Sequence, residues 1–204
     1  MSKNTAFIFI IFAGLAGLAI GWAVGQQSYP YYSGMMPYRV GMPMGGGMMG
    51  HSASIKSDAD FLMEMIPHHQ EAVDTSKYVL SRTDDPELMG FLQGIIDAQT
   101  KEIEQMKRWH QDWFGQEYKD DGRYRSMMPD LTGFTDRQLV SVYLHGMIMH
   151  HMGAIDMARA ISGITKRQEL KDFSTEIIRV QSQEIETMLG WLSGFGRGMM
   201  RMMH

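Results

Sequence analysis

The sequence predicts an all-α fold: a four-helix bundle built from two repeated helical hairpins and preceded by an N-terminal hydrophobic helix. Three observations predict it. First, Met65-Ile66-Pro67-His68-His69 returns as Met147-Ile148-Met149-His150-His151, 82 positions later, and Gln99-x-x-Glu102-Ile103-Glu104-x-Met106-x-x-Trp109 returns at the same offset as Gln181-x-x-Glu184-Ile185-Glu186-x-Met188-x-x-Trp191. Two blocks at one offset mark a duplicated unit. Second, the apolar residues of each block recur in alternating steps of three and four, which is one face of an α-helix. Third, cap and breaker residues punctuate these stripes, and no window carries the sustained alternation of a strand.

The elements follow in order. Lys3 precedes an uncharged run from Thr5 to Gln27, and Ala6–Val24 is long enough to span a bilayer. Residues 1–25 therefore read as a signal peptide or membrane anchor. Their length favours a retained anchor, although Ala23-Val24-Gly25 would suit a signal peptidase. Either reading exports the rest of the chain, with the periplasm or another envelope space as its expected location and the inner membrane as an attachment through residues 1–25. Residues 26–56 are rich in Tyr, Pro, Gly and Met, a composition that blocks helix and sheet and predicts a flexible segment.

The bundle is expected over residues 57–195, with repeats at 57–113 and 135–195. Ser57-x-x-Asp60 resembles a capping box and opens the first helix. Its stripe is Leu62, Met65, His69, Ala72, Ser76 and Val79. Asp85 before Pro86 reads as N-cap and first helical residue of the second helix, which Gly115 should stop. Residues 115–134 are too long for a minimal turn and suit a connection that crosses the bundle end to end. Phe134-Thr135-x-x-Gln138-Leu139 reads as a capping box with a hydrophobic staple at the third helix. Thr165-x-x-Gln168 reads as the opening of the fourth. Residues 196–204 form a Met-rich tail. Pro67, inside the first helix, is expected to kink or loosen it.

Composition narrows the chemistry. The 204 residues carry a net charge of −4 with the charges scattered, which argues against nucleic acid as a partner. No cysteine is present, which excludes disulfides, thiolate zinc sites, iron–sulfur clusters and c-type haem. Methionine is abundant, with 22 residues, and histidine adds eight. Thioether and imidazole are ligands that suit soft Cu(I). In an antiparallel hairpin turning near residue 84, His69 and Gln99 lie level, as do Met65 and Glu102. His68, His69, Met65, Gln99 and Glu102 should therefore meet at one height, and His150, His151, Met147, Gln181 and Glu184 should converge likewise in the second repeat. Each histidine pair can clasp one Cu(I) or Ag(I) ion, with Met65 or Met147 adding a thioether and the Gln and Glu side chains accepting imidazole N–H groups. His145 with Met149, and His110 near Asp112, are weak surface Cu(II) sites or, as favoured here, solvated histidines.

The pattern Phe61-x-x-x-Met65-Ile66-Pro67-His68-His69-Gln70-x-Ala72, echoed by His150-His151-x-x-Ala154-Ile155-x-Met157-Ala158, resembles a bacterial double-histidine family first catalogued as a domain of unknown function. The resemblance spans about residues 57–193. It implies a ferritin-like bundle, copper or silver held by His68 and His69 and by His150 and His151, and a metallochaperone or copper-resistance role with donor or acceptor proteins in the envelope. The expected function is binding, not catalysis. Two alternatives compete: a di-iron oxidase, which needs a Glu-x-x-His motif on two helices that Glu102 and Glu184 do not supply, and an anchored structural bundle without metal.

Overall fold

The computed structural model describes residues 55–201, and of Asp136, Arg137 and residues 195–201 only the backbone. The expected N-terminal helix, most of the Met/Gly/Pro-rich segment and the last three residues of the tail lie outside the described residues. Four helices make up the fold: α1 (Asp58–Leu80), α2 (Pro86–Phe114), α3 (Asp136–Ser162) and α4 (Gln168–Arg201). Among the described residues there is no strand, and no helix is long and apolar enough to cross a membrane.

Local chemistry sets most of the helix ends. The Ser57 Oγ accepts from the Asp60 amide at 3.1 Å, while the Asp60 carboxylate reaches back to the Lys56 amide at 3.1 Å. This is a capping box displaced by one residue. The Asp85 carboxylate accepts from the amides of Glu87 and Leu88, with Pro86 at the first helical position. Gly115 ends α2 at φ 70°, a left-handed conformation that favours glycine. Two expectations are corrected. The Thr135 side chain makes no cap hydrogen bond, so the box at α3 is not formed, although Phe134 and Leu139 pack in one cluster as a staple would. Thr165 holds the Arg167 amide in a turn, and α4 begins only at Gln168. Pro67 lies inside α1, which continues through it. At the edges, Ile55 is buried in the core and α4 runs on to Arg201, so helix and packing extend past the expected limits of 57 and 195.

Side-chain pairs give the topology. α1 packs on α2, α3 on α4, and α1 on α3. Ser76 meets Tyr143 and His68 meets His150, so α1 and α3 are antiparallel. Phe91 meets Trp191 and Trp109 meets Phe173, so α2 and α4 are antiparallel too. α2 and α3, consecutive in the chain, thus run in one direction, and the connection between them must travel the length of the bundle, as expected.

The apolar core is in two parts. One contains Phe61, Leu62, Met65, Met106, Trp109, Ala154, Met157 and Ile161. The other contains Ala72, Val79, Leu92, Ile95, Leu139, Tyr143, Met147 and Met188. Between them along α1 and α3 lie the buried histidines 68, 69, 150 and 151. The 82-residue offset appears here as a rough two-fold relation: Met65 shares its cluster with Ala154, and Met147 shares the other with Ala72. Each methionine thus has the alanine of the opposite repeat in its own half of the core.

The relation breaks at one buried polar pair. The Ser76 and Tyr143 hydroxyls share a 2.7 Å hydrogen bond, whereas their repeat counterparts, Ala158 and Phe61, are apolar. Removing one hydroxyl leaves the other unsatisfied, at about 1–3 kcal/mol, while removing both restores an apolar pair. Urea denaturation should therefore show Ser76→Ala destabilised by that amount, and Ser76→Ala/Tyr143→Phe closer to the parent than the single variant. An additive double variant would contradict this.

Candidate metal centre

All four histidines are fully buried. The sequence placed them in two separate clasps; the structure brings the clasps into one belt. The His68 and His150 rings lie face to face at 3.6 Å between centroids and 33° between planes. This follows from the antiparallel crossing of α1 and α3, which sets the two repeats level at their histidines. Within each consecutive pair the centroids are 6.1 Å apart for His68 and His69, and 6.3 Å for His150 and His151. With metal–imidazole bonds of about 2.0 Å, a linear N–metal–N unit places two ring centroids roughly 6 Å apart.

Carboxylates back three of the rings. Glu184 of α4 accepts from the His151 Nε2 at 2.7 Å. Glu102 of α2 sits 2.8 Å from the His69 Nε2, but off the hydrogen-bonding direction of the ring. Both glutamates were expected from the repeat. The glutamines beside them were expected to accept from imidazole as well. Gln99 and Gln181 are buried, but the Oε1 of each has no hydrogen-bond partner. At His151 the carboxylate of Glu184 takes the imidazole in place of Gln181, because a carboxylate makes the stronger bond.

The third carboxylate, Glu71, was not recognised from the sequence. It lies on α1 yet stands 3.3 Å from the Nε2 of His150 on α3. It also accepts from the Tyr124 hydroxyl at 2.6 Å, the Ser126 hydroxyl, and the amides of Met127 and Met128 at 3.0 and 3.1 Å. One side chain thus ties the crossover to α1 and touches the histidine belt. The only sequence signal was the His68-x-x-Glu71 spacing, and no local pattern marks the crossover as its partner. A groove of about 560 Å³ lies against this tie, lined by Pro67, Glu71 and Asp74 of α1 and by Tyr118, Tyr124 and Ser126 of the crossover.

Burial and bonding set the charges. Burial pushes the His150 pKa down to about 4, against the opposing pull of Glu71. Burial alone would raise the Glu71 pKa, but hydrogen bonds from His150, Ser126, Tyr124 and Met127 outweigh it and bring it to about 2. His150 is therefore a neutral imidazole with its Nε2 towards a carboxylate. The Nδ1 atoms of His69, His150 and His151 have no hydrogen-bond partner. Such buried nitrogens need either a partner or a bound ion. Among the described residues no three His, Asp or Glu side chains converge on one point as a cage would require. The donors come as pairs, which suits a low-coordinate soft cation better than zinc or iron.

Met65 and Met147 are fully buried on the same helices as the pairs, one turn away. His145 and His110 lie apart from the belt. Their Nδ1 atoms lie 2.8 Å from the carbonyls of Ser141 and Gln116, as ordinary hydrogen-bonded histidines would.

Two outcomes are expected of the metal-free protein. Glu71→Ala leaves four crossover donors without their acceptor; urea midpoints should show a loss of at least about 1–3 kcal/mol, and the Met127 and Met128 amides should exchange faster. Acid should also destabilise the fold in two stages. The His150 pKa falls on folding, so the unfolded chain binds the extra proton and stability drops as pH falls from 6.5 to about 4. The Glu71 pKa also falls on folding, so its contribution, present above 4.5, is lost towards about 2. A urea midpoint that does not decline between pH 6.5 and 4, or declines as steeply in His150→Gln, would contradict the first stage.

Comparison with known proteins agrees with this architecture. Residues 58–192 match the family described as Domain of unknown function (DUF305). CopM in its Cu(I)-bound form is 34% identical, with a TM-score of 0.62 over 68% of this chain and 97% of CopM. CopM in an Ag-bound form is 33% identical, with a TM-score of 0.61 over 69% and 98%. CopM has also been solved in a Cu(II)-bound form, at 34% identity. A DUF305 protein from Streptomyces coelicolor is 27% identical, with a TM-score of 0.62 over 68% of this chain and 93% of its own. An uncharacterized protein of Acanthamoeba polyphaga mimivirus is 41% identical over 49 residues; that match covers 24% of this chain and only 32% of the viral protein. The chain belongs to the DUF305 family and is a CopM-like four-helix bundle.

Proposed function

We propose that this chain is an exported copper-binding protein that holds monovalent copper, and silver, at its two consecutive histidine pairs and buffers it or passes it on. The observation that carries the reading is the belt of four buried imidazoles. Each pair has the spacing of a linear clasp, and three of the rings have an Nε2 beside a carboxylate and an Nδ1 with no hydrogen-bond partner. The likeness to CopM, solved with Cu(I) and with silver, supports the same ions here.

The chemistry fits a soft monovalent cation. A neutral imidazole offers a lone pair without first losing a proton, and His150 is held neutral by burial. A carboxylate behind an imidazole raises its basicity and fixes its orientation. Glu71, Glu102 and Glu184 also bring negative charge next to a cation taken out of water. On this reading His68 with His69, and His150 with His151, are the ligands, and Met65 and Met147 contribute thioethers. The protein is a carrier, not an enzyme. Export, and attachment through residues 1–25, rest on the hydrophobic run Ala6–Val24. Donor and acceptor proteins in the envelope would complete the transfer.

The test is metal stoichiometry under reducing conditions, against a Cu(I) chelator. His68→Ala/His69→Ala and His150→Ala/His151→Ala should each lose one equivalent relative to the full-length parent. Cu(I) held at 100 times its Kd should stabilise the parent by about 2.7 kcal/mol through binding to the native state. If both double variants hold as much Cu(I) as the parent, the imidazole reading fails.

A further inference from the structure

The two-fold relation puts a different group beside each of the stacked rings. His150 has the Glu71 carboxylate at its Nε2. The repeat counterpart of Glu71 is Gly153, which has no side chain to offer His68. The space over Gly153 is filled from the crossover. A Cβ built on Gly153 would meet the Met127 Cε at 2.7 Å, the Met127 Sδ at 3.0 Å and the His68 Nε2 at 3.5 Å. A thioether and an imidazole nitrogen therefore both border the space over one bare glycine. We propose that Met127 Sδ and His68 Nε2 form a loading site for a soft monovalent cation, outside the histidine clasp. This inference rests on the copper reading above.

Three features support it. Met127 is only partly buried, and its thioether packs over Gly153 beside a fully buried ring. Its position is held from behind: its amide, the next amide and the hydroxyls of Ser126 and Tyr124 all bond to Glu71, so the thioether is presented by an anchored strap. The ring of Tyr124, on the same strap, stands edge-on to His68 at 6.1 Å. Thioether and imidazole together are a donor set that selects Cu(I) and Ag(I) over hard cations. The His150 side has a carboxylate in the matching place, so loading is expected on one side of the belt only.

The occupant follows from this chemistry, and silver is the probe. In full-length protein with ¹³C-methyl-labelled methionine, the Met127 methyl signal, assigned by its loss in Met127→Leu, is followed as silver nitrate is added, together with the histidine ring signals. The Met127 methyl should shift within the first equivalent, and His68→Ala should abolish that shift. Met127→Leu should keep the silver bound at the histidine pairs but slow its uptake about tenfold. Gly153→Ala, which pushes the thioether aside, should slow it likewise. Histidine signals that respond while the Met127 methyl stays still, or unchanged uptake by Met127→Leu, overturn the loading site and leave the clasps standing. Histidine signals that do not respond at all refute the copper reading itself.

Discussion

The structure depends on burying four imidazoles halfway along an apolar bundle. A buried polar group without partners costs free energy, and four at one level would be costly together. Three carboxylates from three helices stand beside the rings and meet that demand only in part: Glu71 from α1, Glu102 from α2 and Glu184 from α4. The rest of the architecture accommodates this belt. α1 and α3 approach closely enough to stack His68 on His150. The crossover lies tight on α3, where a Cβ at Gly146 would come within 2.6 Å of Pro129 and one at Gly153 within 2.7 Å of Met127. Those glycines serve close approach, not backbone freedom.

The duplicated unit is not copied evenly. Where the two halves match, they do so in the groups that hold the belt: paired histidines, a methionine one turn before them, and a glutamate from the partner helix of the hairpin. At two of the positions where they differ, one half is polar and the other is not. Ser76 and Tyr143 answer to Ala158 and Phe61, and Glu71 answers to Gly153. The second difference has the larger consequence, since Glu71 organises the crossover and its absence from α3 makes room for Met127. A symmetric bundle would have no place for a strap crossing only one face. The asymmetry of the connection and that of the sequence are therefore the same feature.

Charge follows from the same constraint. Burial disfavours the protonated imidazole at His150, and hydrogen bonds favour the ionised carboxylate at Glu71. The two effects act in opposite senses on a base and an acid, and together leave His150 a neutral imidazole beside a negative charge. That combination makes the metal-free state sensitive to acid, because a proton is the simplest cation the belt can take.

The sequence by itself determined the helices, the repeat and most of the belt's members. These are local or periodic properties: steps of three and four place residues on one face, Asp85-Pro86 and Gly115 mark ends, and an offset of 82 identifies Glu102 and Glu184 together. Hairpin register, which follows from a short turn, put Glu102 and Glu184 at the height of the histidine pairs, where they stand beside His69 and His151. It ranked Gln99 and Gln181 with them because register gives height but not which acceptor wins. Only the tertiary structure decided that the two clasps share one belt, since nothing local says α1 packs on α3. Only it tied Glu71 to the crossover and set Met127 over Gly153, since a long connection has no period and its path is chosen by the surfaces it crosses.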